Sequence, residues 1–569
     1  MTSSVHIEST KQDERTSIFD RIKQSPTLPY FLLILITVAI YWEVVSFGVM
    51  DTWDDQLFFL KRPELENWWG VSWYERLVTP KIGYPIPIPT FLYVLIQSLP
   101  GDWVLLASHG ISVLLQCVNA CLVYTLIARW LKQQRTPAFF AVLLWASHPL
   151  LVESVAWVTN LKTVSFATML LGAVLIWEFH LQTPKRRYLV LSGLFALLAF
   201  GCRPEAVIIG PLLFARTFWV GGWAQLRRPI YGGLPVLLGI FAIIFIPMVI
   251  NSHTDLVAQS NTADATTFRE IKHYRRIFSA LTLQFWHIIY PSNLNPAYYW
   301  DHSTAIHLTV FGVLIALVWF GAIIWTWQIK HPSGWPLLFA AVCYLPASGV
   351  EYLPRFLADT YMYLPLIGIL AAALTMIPRT KLHERKHFWA LLIGLLTFAL
   401  AANSYIQSKR WENTLTLWEP MMESTADLGQ AHFMVGVALT HIYEYKKATE
   451  VFDEGYYSMT QWLIPPAEAA VAYSAIGNNA RAYEILMDIL VRTDKPQNAQ
   501  TDGYFILLLT NNQLHWPEGG KFQKAAERAA RRAYHSDTIS PESYPIISRY
   551  FYGQEQEELG ALYAEPLQQ

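Results

Sequence analysis

Two adjacent carboxylates, Asp54 and Asp55, follow the first long apolar stretch of the chain, in the sequence FGVMDTWDDQLFFLKRPE that begins at Phe47. Two such acids can act as a general base and its orienting partner, or they can hold a divalent metal ion. A solvated loop would also explain the pair. Because the pair emerges directly from an apolar stretch and precedes a loop rich in Trp, Tyr and Pro, we predict that it is catalytic, with Asp54 as the base.

Further charged residues lie at the ends of later apolar stretches. The segment HPLLVESVAW contains His148 and Glu153, which predicts either a helix cap with an interfacial ion pair or a role in orienting a substrate. The segment EYLPRFLADTYMYLP adds Asp359 and Tyr361 as candidate substrate-binding residues.

Arginines beside these stretches are candidates for neutralising a lipid phosphate, because a guanidinium donates two parallel hydrogen bonds that match phosphate geometry. These candidates are Arg203, Arg275, Arg276 and Arg355, and Glu205 is placed to orient the first of them. Snorkelling of the side chains towards lipid headgroups is the alternative explanation, especially for the two adjacent arginines in an amphipathic stretch.

Composition points to a membrane. Of the 569 residues, 53% are hydrophobic and only 15% are charged, against about 25% charged in soluble domains. The 23 tryptophans suggest aromatic belts at bilayer interfaces. A net charge of -1 gives no basic footprint for nucleic acid. The four cysteines form no CxxC pair, so no metal site is predicted. The sequence also contains no P-loop, no GxSxG and no Gly-rich dinucleotide turn, which makes a nucleotide-using enzyme an unfavoured class.

About eleven apolar segments recur along the chain, and some are shorter than the ~20 residues of a full span. They cover residues 30–49, 103–129, 137–147, 155–179, 188–201, 206–220, 230–250, 306–328, 335–349, 361–377 and 387–405. Basic clusters fall at alternate segment ends, and the positive-inside rule places these ends in the cytoplasm. We therefore predict a cytoplasmic segment at 1–29, a transmembrane domain at 30–406 with long external loops at 50–102 and 251–304, and an external domain at 407–569.

The last domain shows a helical repeat. Gly436, Ala448 and Phe452 have counterparts 34 residues later in Ala470, Ala482 and Leu486. A 34-residue period with small residues at helix crossings is typical of tetratricopeptide repeats, although a plain bundle of helical hairpins would also fit. The predicted fold class is thus all-α, a polytopic membrane protein followed by an α-solenoid.

Four segments, taken in order, resemble membrane tetratricopeptide proteins related to the TMTC O-mannosyltransferases. They are HPLLVESVAWV, SALTLQFWHIIYPSNLNPAYYW, LADTYMYLPLIG and RWENTLTLWEPMMESTADLGQAHFMVGVAL. The resemblance covers nearly the whole chain from residue 30 onwards. The family is similar to the GT-C glycosyltransferases, which take a sugar from a polyprenyl phosphate carrier on the non-cytoplasmic face and carry an acidic pair that corresponds to Asp54 and Asp55.

The resemblance implies an inverting enzyme in the bacterial inner membrane, with the N-terminus cytoplasmic and the repeats periplasmic. Its donor would be a polyprenyl-phosphate sugar, and its acceptor a Ser or Thr hydroxyl of an exported protein, such as a pilin, held by the repeats. No cofactor would be required. Two alternatives stay open: an oligosaccharyltransferase with a pyrophosphate-linked donor and a metal at the acidic pair, and a non-catalytic scaffold that recruits an envelope protein.

This chain departs from the family at two places. Family members often carry Arg and Asp after the HPxxxE segment, where this chain has Leu161 and Thr163, so that Lys162 remains as the phosphate-binding candidate. In the segment of the DRYTYLP type, Thr360 replaces the arginine, and Arg355 is the residue that could compensate.

Overall fold

The structure is a computed structural model of the full chain. It describes residues 25–50, 52–55, 59, 69–70, 72, 85–243, 271–298, 306–350, 355, 357–377, 385–424, 429–462, 467–492, 499–512, 517, 520–534, 539 and 543–564. The predicted segment 1–29 therefore lies largely outside the described residues, as does about half of each predicted external loop.

Every regular element in these ranges is helical, which confirms the predicted all-α class for the described part of the chain. Two compact units form: one from residues up to Val49 together with Leu57–Trp411, and one from Met50–Gln56 together with Glu412–Gln569. The acidic pair thus belongs to the same unit as the C-terminal helices.

The first unit contains the long apolar helices. Its α-helices are Leu28–Tyr41, Pro87–Gln97, Trp103–Trp130, Arg135–Ala146, Val152–Ala156, Leu161–Gln182, Arg186–Phe200, Ile209–Leu226, Ile271–Ile289, Ile306–Gln328, Gly334–Tyr344, Pro365–Met376 and Lys386–Lys409. Short 3₁₀ turns occur at Glu43–Ser46, Pro149–Leu151, Val158–Asn160, Pro204–Ile208, Leu345–Ala347 and Asp359–Met362. Two of the α-helices, Pro87–Gln97 and Ile271–Ile289, lie where the sequence predicts external loops.

Five helical stretches of the described chain are long and apolar enough to cross a membrane: Trp103–Trp130, Val158–Gln182, Pro204–Leu226, Ile306–Gln328 and His387–Lys409. A bent pair, Arg135–Ala146 with Pro149–Ala156, would make a sixth. Several of the other predicted segments form shorter apolar helices of 10–17 residues. These helices fit a multi-pass membrane protein.

The bend between the helices Arg135–Ala146 and Pro149–Ala156 determines the position of Glu153. The two helices meet at 61°. A residue before proline is disfavoured in the α region, and His148 is accordingly extended ahead of Pro149, with φ −81° and ψ 131°. Its Nδ1 accepts a hydrogen bond from the backbone N–H of Leu150 at 3.3 Å. The break turns the following short helix, and Glu153 with it, away from the line of the span.

The second unit is a set of paired helices. They are Thr414–Ser424, Gly429–His441, Tyr445–Trp462, Ala467–Ala475, Asn479–Arg492, Ala499–Asn511, Gly520–Ala533, Tyr544–Gly553 and Glu557–Ala564. In the second of these, a Cβ on Gly436 would lie 2.4 Å from the ring of Phe452, so the absence of a side chain lets the two helices approach closely. Ala448 and Ala482 are fully buried, as expected for small residues between paired helices.

We expect Gly436→Leu to destabilise the second unit by about 1–3 kcal/mol, because the added side chain overpacks against the buried Phe452. Limited proteolysis of the full-length protein in increasing urea would measure the loss. The matched control is Gly553→Leu, since a Cβ at Gly553 meets nothing within 4 Å. Equal protease resistance of the two variants would show that the Gly436 contact does not limit stability.

Candidate functional site

The acidic pair occupies a short helical turn in the second unit. Asp55 is 1% exposed, and its Oδ2 accepts a hydrogen bond from the backbone N–H of Met50 at 2.9 Å. Asp54 is partly exposed. The turn packs on the first helix of the unit, where Trp53 makes an edge contact with the buried Trp418 at a ring-centroid distance of 5.3 Å. Asp55 therefore closes the turn, and Asp54 is the acid of the two that a reactant can reach.

A group of buried charges forms separately in the first unit. Its centre is Glu153, whose side chain is 1% exposed. One carboxylate oxygen accepts from Nη2 of Arg355 at 2.6 Å, and the other accepts from the backbone N–H of Thr360 at 3.2 Å. The ion pair joins residues 202 positions apart in the chain. Arg355 thus reaches the neighbourhood of Thr360, where the resemblance implies that an arginine is missing.

Arg355 is held from two further sides. Its Nη1 donates to the carbonyl of Pro296 at 2.6 Å, and its guanidinium lies over the ring of Trp157 at 5.6 Å. Trp157 in turn stacks on Trp411 at a centroid distance of 5.7 Å. The side chain of Arg355 is 23% exposed, so part of it remains accessible to solvent.

Asp359 adds a second buried acid beside the first. Its Oδ1 accepts a hydrogen bond from the hydroxyl of Tyr298 at 2.7 Å. Burial, together with the nearby charge of Glu153, raises the pKa of Asp359 well above its ordinary range, and Arg355 and Arg410 only partly oppose this. A carboxyl group with a raised pKa holds its proton to higher pH, which reduces the negative charge of the group.

A second group of charged side chains, which we call the second basic element, surrounds Arg203. Its Nη1 donates to the hydroxyl of Thr163 at 2.5 Å, and its Nη2 forms a short ion pair with Glu205. Lys162 lies close enough to Glu205 to interact with it electrostatically. Glu205 thus contacts Arg203, the residue that it is predicted to orient, and Thr163 is a further partner of the guanidinium.

Tyr361 connects the two elements. Its hydroxyl donates to the backbone carbonyl of Arg355 at 2.9 Å. Both Arg355 and Arg203 lie near enough to Tyr361 to interact with its hydroxyl electrostatically. Charges from the two elements therefore act on one partly buried phenol, which places them in one cluster.

We call this group the basic cluster and define it by four cations and three acids: Lys162, Arg203, Arg355, Arg410, Glu153, Glu205 and Asp359. With every group ionised, the cations exceed the acids by one, and protonation of Asp359 increases that excess to two. Among the described residues, a partly buried excess of positive charge at the ends of apolar helices suits an anion.

Arg410 is a member that the sequence reading missed. Its Nη1 donates to the carbonyl of Leu294 at 2.7 Å, and its charge acts on both Asp359 and Tyr298. Burial lowers the pKa of Arg410, although the residue stays charged. The signal was available in the quoted segment RWENTLTLW, where an arginine directly follows an apolar helix.

Three other predicted residues are His148, Arg275 and Arg276. Both ring nitrogens of His148 meet the backbone, since Nε2 also donates to the carbonyl of Ile288 at 3.1 Å. This contact supports the helix-cap interpretation of His148, and any contact of its ring with a substrate stays a prediction. Arg275 and Arg276 lie, partly buried, near the start of the Ile271–Ile289 helix.

Within the described residues, no group of three or more His, Cys, Asp and Glu side chains is arranged to hold a metal ion. Comparison of the chain with protein-family models, with curated proteins and with solved structures gives no match.

Proposed function

We propose that the protein is an inverting membrane glycosyltransferase of the GT-C type, which moves a sugar from a polyprenyl-phosphate donor to a Ser or Thr hydroxyl of an exported protein. The observation that carries the proposal is the basic cluster, because it combines rigidly held guanidiniums with an excess of positive charge beside apolar helices. A lipid phosphate needs both features: cations for its headgroup and an apolar surface for its chain.

In the proposed reaction, the acceptor oxygen attacks the anomeric carbon on the face opposite the phosphate. The new carbon–oxygen bond forms as the bond from that carbon to the phosphate oxygen breaks, which inverts the configuration. The hydroxyl proton passes to Asp54, and Asp55 holds the turn that presents it. The phosphate leaves with the bonding electron pair, and the guanidiniums of Arg203 and Arg355 stabilise its charge.

The finer architecture belongs to the same proposal. We infer eleven spans, a cytoplasmic N-terminus and a periplasmic repeat domain that holds the acceptor, in a bacterial inner membrane. The alternation of basic residues at the segment ends supports this orientation. Closely packed helix pairs, such as the one around Gly436 and Phe452, support the repeat interpretation.

Purified full-length protein, a synthetic polyprenyl-phosphate sugar and a Ser/Thr-containing acceptor peptide would test the proposal. We expect transfer of one sugar with inversion, detected by mass spectrometry of the peptide, and no loss of rate with a chelator. Transfer only from a pyrophosphate-linked donor, abolished by the chelator, would instead support the oligosaccharyltransferase. No transfer from either donor, together with binding of an envelope protein, would support the scaffold.

We expect Arg203→Lys to weaken donor binding, because the substitution keeps the charge but removes the planar fork that pairs two phosphate oxygens. The measurement is the affinity for the polyprenyl-phosphate sugar in detergent. Arg531→Lys is the matched control, since Arg531 pairs with Glu558 on an exposed surface of the second unit. Unchanged donor affinity in both Arg203→Lys and Arg203→Ala would remove Arg203 from the phosphate site.

A further inference from the structure

The Trp103–Trp130 helix is mostly apolar, but polar residues line one of its faces. His109, Ser112, Gln116 and Asn119 recur at steps of three, four and three residues, so they lie on one side of the helix. All four are at most 1% exposed. They extend over about 15 Å of a helix that is long and apolar enough to cross a membrane. Polar side chains at such depth need partners inside the protein.

One end of this face is fully hydrogen-bonded. Asn119 donates to the carbonyl of Val164 at 3.1 Å and to the hydroxyl of Tyr363 at 2.9 Å, and it accepts from Thr168 at 2.8 Å. The Tyr363 hydroxyl also donates to Oε1 of Gln116 in a short hydrogen bond. Hydrogen bonds of Asn119 therefore join this polar face to the Leu161–Gln182 helix.

The rest of the polar face contains atoms without hydrogen-bond partners. Within the described chain, five buried polar atoms near this face have no hydrogen-bond partner: Tyr41 Oη, His109 Nδ1, Ser112 Oγ, Gln116 Nε2 and Ser165 Oγ. Serine and threonine hydroxyls in apolar helices commonly donate to the carbonyl four residues earlier. Ser108 and Thr125 do so here, to Val104 and Cys121. Ser112 and Ser165 do not, so their hydroxyls remain available to something else.

The unpaired atoms specify the chemistry of what they bind. They include a donor (Gln116 Nε2), three hydroxyls that can do either, and His109 Nδ1, which is an acceptor in the tautomer whose Nε2 donates to the carbonyl of Gly48 at 3.1 Å. A metal ion would meet a donor in this set, and an anion would meet an acceptor and no positive charge. A small neutral molecule that both donates and accepts fits every atom, and water is such a molecule.

The location connects this face with the basic cluster. On the Leu161–Gln182 helix, Lys162, Ser165 and Thr168 follow one another at steps of three residues. Lys162 belongs to the basic cluster, and Thr168 contacts Asn119. Tyr41 lies close enough to Tyr363 to interact with it electrostatically. Four of the five unpaired atoms therefore lie along a route over two helix faces, from Lys162 to the Asn119–Thr168 contact and on to His109.

We propose that ordered water molecules occupy this route and form an internal file from the basic cluster to His109. The file ends at the basic cluster, where Lys162 lies near the start of the helix that carries Ser165 and Thr168. The proposal does not depend on sugar transfer, since any ligand in the basic cluster would lie beside the same water molecules.

X-ray radiolytic hydroxyl labelling, read by mass spectrometry, tests the proposal on the full-length protein in detergent, because buried side chains react by this route only when water lies beside them. Each labelling rate is normalised to the rate of the same residue in denatured protein. Tyr41 and Tyr563 make a matched pair, since both are at most 1% exposed. The Tyr563 hydroxyl donates to the carbonyl of Ala530 at 2.8 Å, whereas that of Tyr41 has no described partner.

We expect Tyr41 and His109 to be labelled several-fold faster than Tyr563. In a Ser112→Ala, Gln116→Leu double variant both rates should fall to that of Tyr563, whereas Ser108→Ala, on the same helix, should leave them unchanged. Labelling of Tyr41 and His109 as slow as that of Tyr563 in the wild-type protein would overturn the proposal. The wild-type comparison decides this even if the double variant does not fold.

Discussion

Asp54→Asn should lower the rate of sugar transfer by about 10²–10⁴-fold, because the amide keeps the shape of the side chain but accepts no proton from the acceptor hydroxyl. Donor binding should stay at the wild-type level, since the cations assigned to the phosphate lie in the basic cluster. The assay is single-turnover transfer from a synthetic polyprenyl-phosphate sugar by purified protein. Wild-type rates in Asp54→Asn would exclude this residue as the base.

The variant Asp55→Asn should behave differently from Asp54→Asn, because the two acids have different surroundings in the structure. Asp55 accepts the Met50 N–H in a buried turn, and an amide oxygen can keep that hydrogen bond if it faces the N–H. We therefore expect a smaller loss of rate than in Asp54→Asn. The double variant should be little slower than Asp54→Asn alone, since residues that act as a unit show non-additive losses. A double variant in which the two losses multiply would mean that the acids act independently.

Arg355→Met should destabilise the first unit by about 3 kcal/mol, at the low end of the range for broken buried pairs because Arg355 is itself 23% exposed. The substitution leaves the carboxylate of Glu153 buried without its cation. Thermal unfolding of the full-length protein in detergent would measure the loss. The matched control is Arg531→Met, whose exposed partner Glu558 should make it worth less than about 1 kcal/mol.

A second substitution distinguishes the cost of the unpaired charge on Glu153 from the cost of losing the packing contacts of Arg355. Adding Glu153→Gln to Arg355→Met removes the uncompensated charge, so the double variant should recover much of the lost stability. If Glu153→Gln gives no recovery, the cost of losing Arg355 comes from its contacts with Pro296 and Trp157 rather than from its charge.

Three features follow from the sequence alone: the helical class, the long apolar helices and the small residues at one helix crossing. These features depend on neighbours a few positions apart, so composition and periodicity carry them. Gly436 and Phe452 illustrate this, because their spacing indicated close helix packing and the two residues lie in contact. The charged candidates Glu153, Arg203 and Arg355 were also visible, since ionisable residues beside apolar stretches are conspicuous.

Which of these charges come into contact depends on the tertiary fold. Glu153 and Arg355 are separated by 202 residues, and the two segments come together only through the path of the folded helices. The same holds for Arg410, whose place beside Asp359 no local pattern indicates. The polar face of the Trp103–Trp130 helix was hidden for a related reason: its side chains are spread among apolar ones, and their burial is a property of the helices that pack around them.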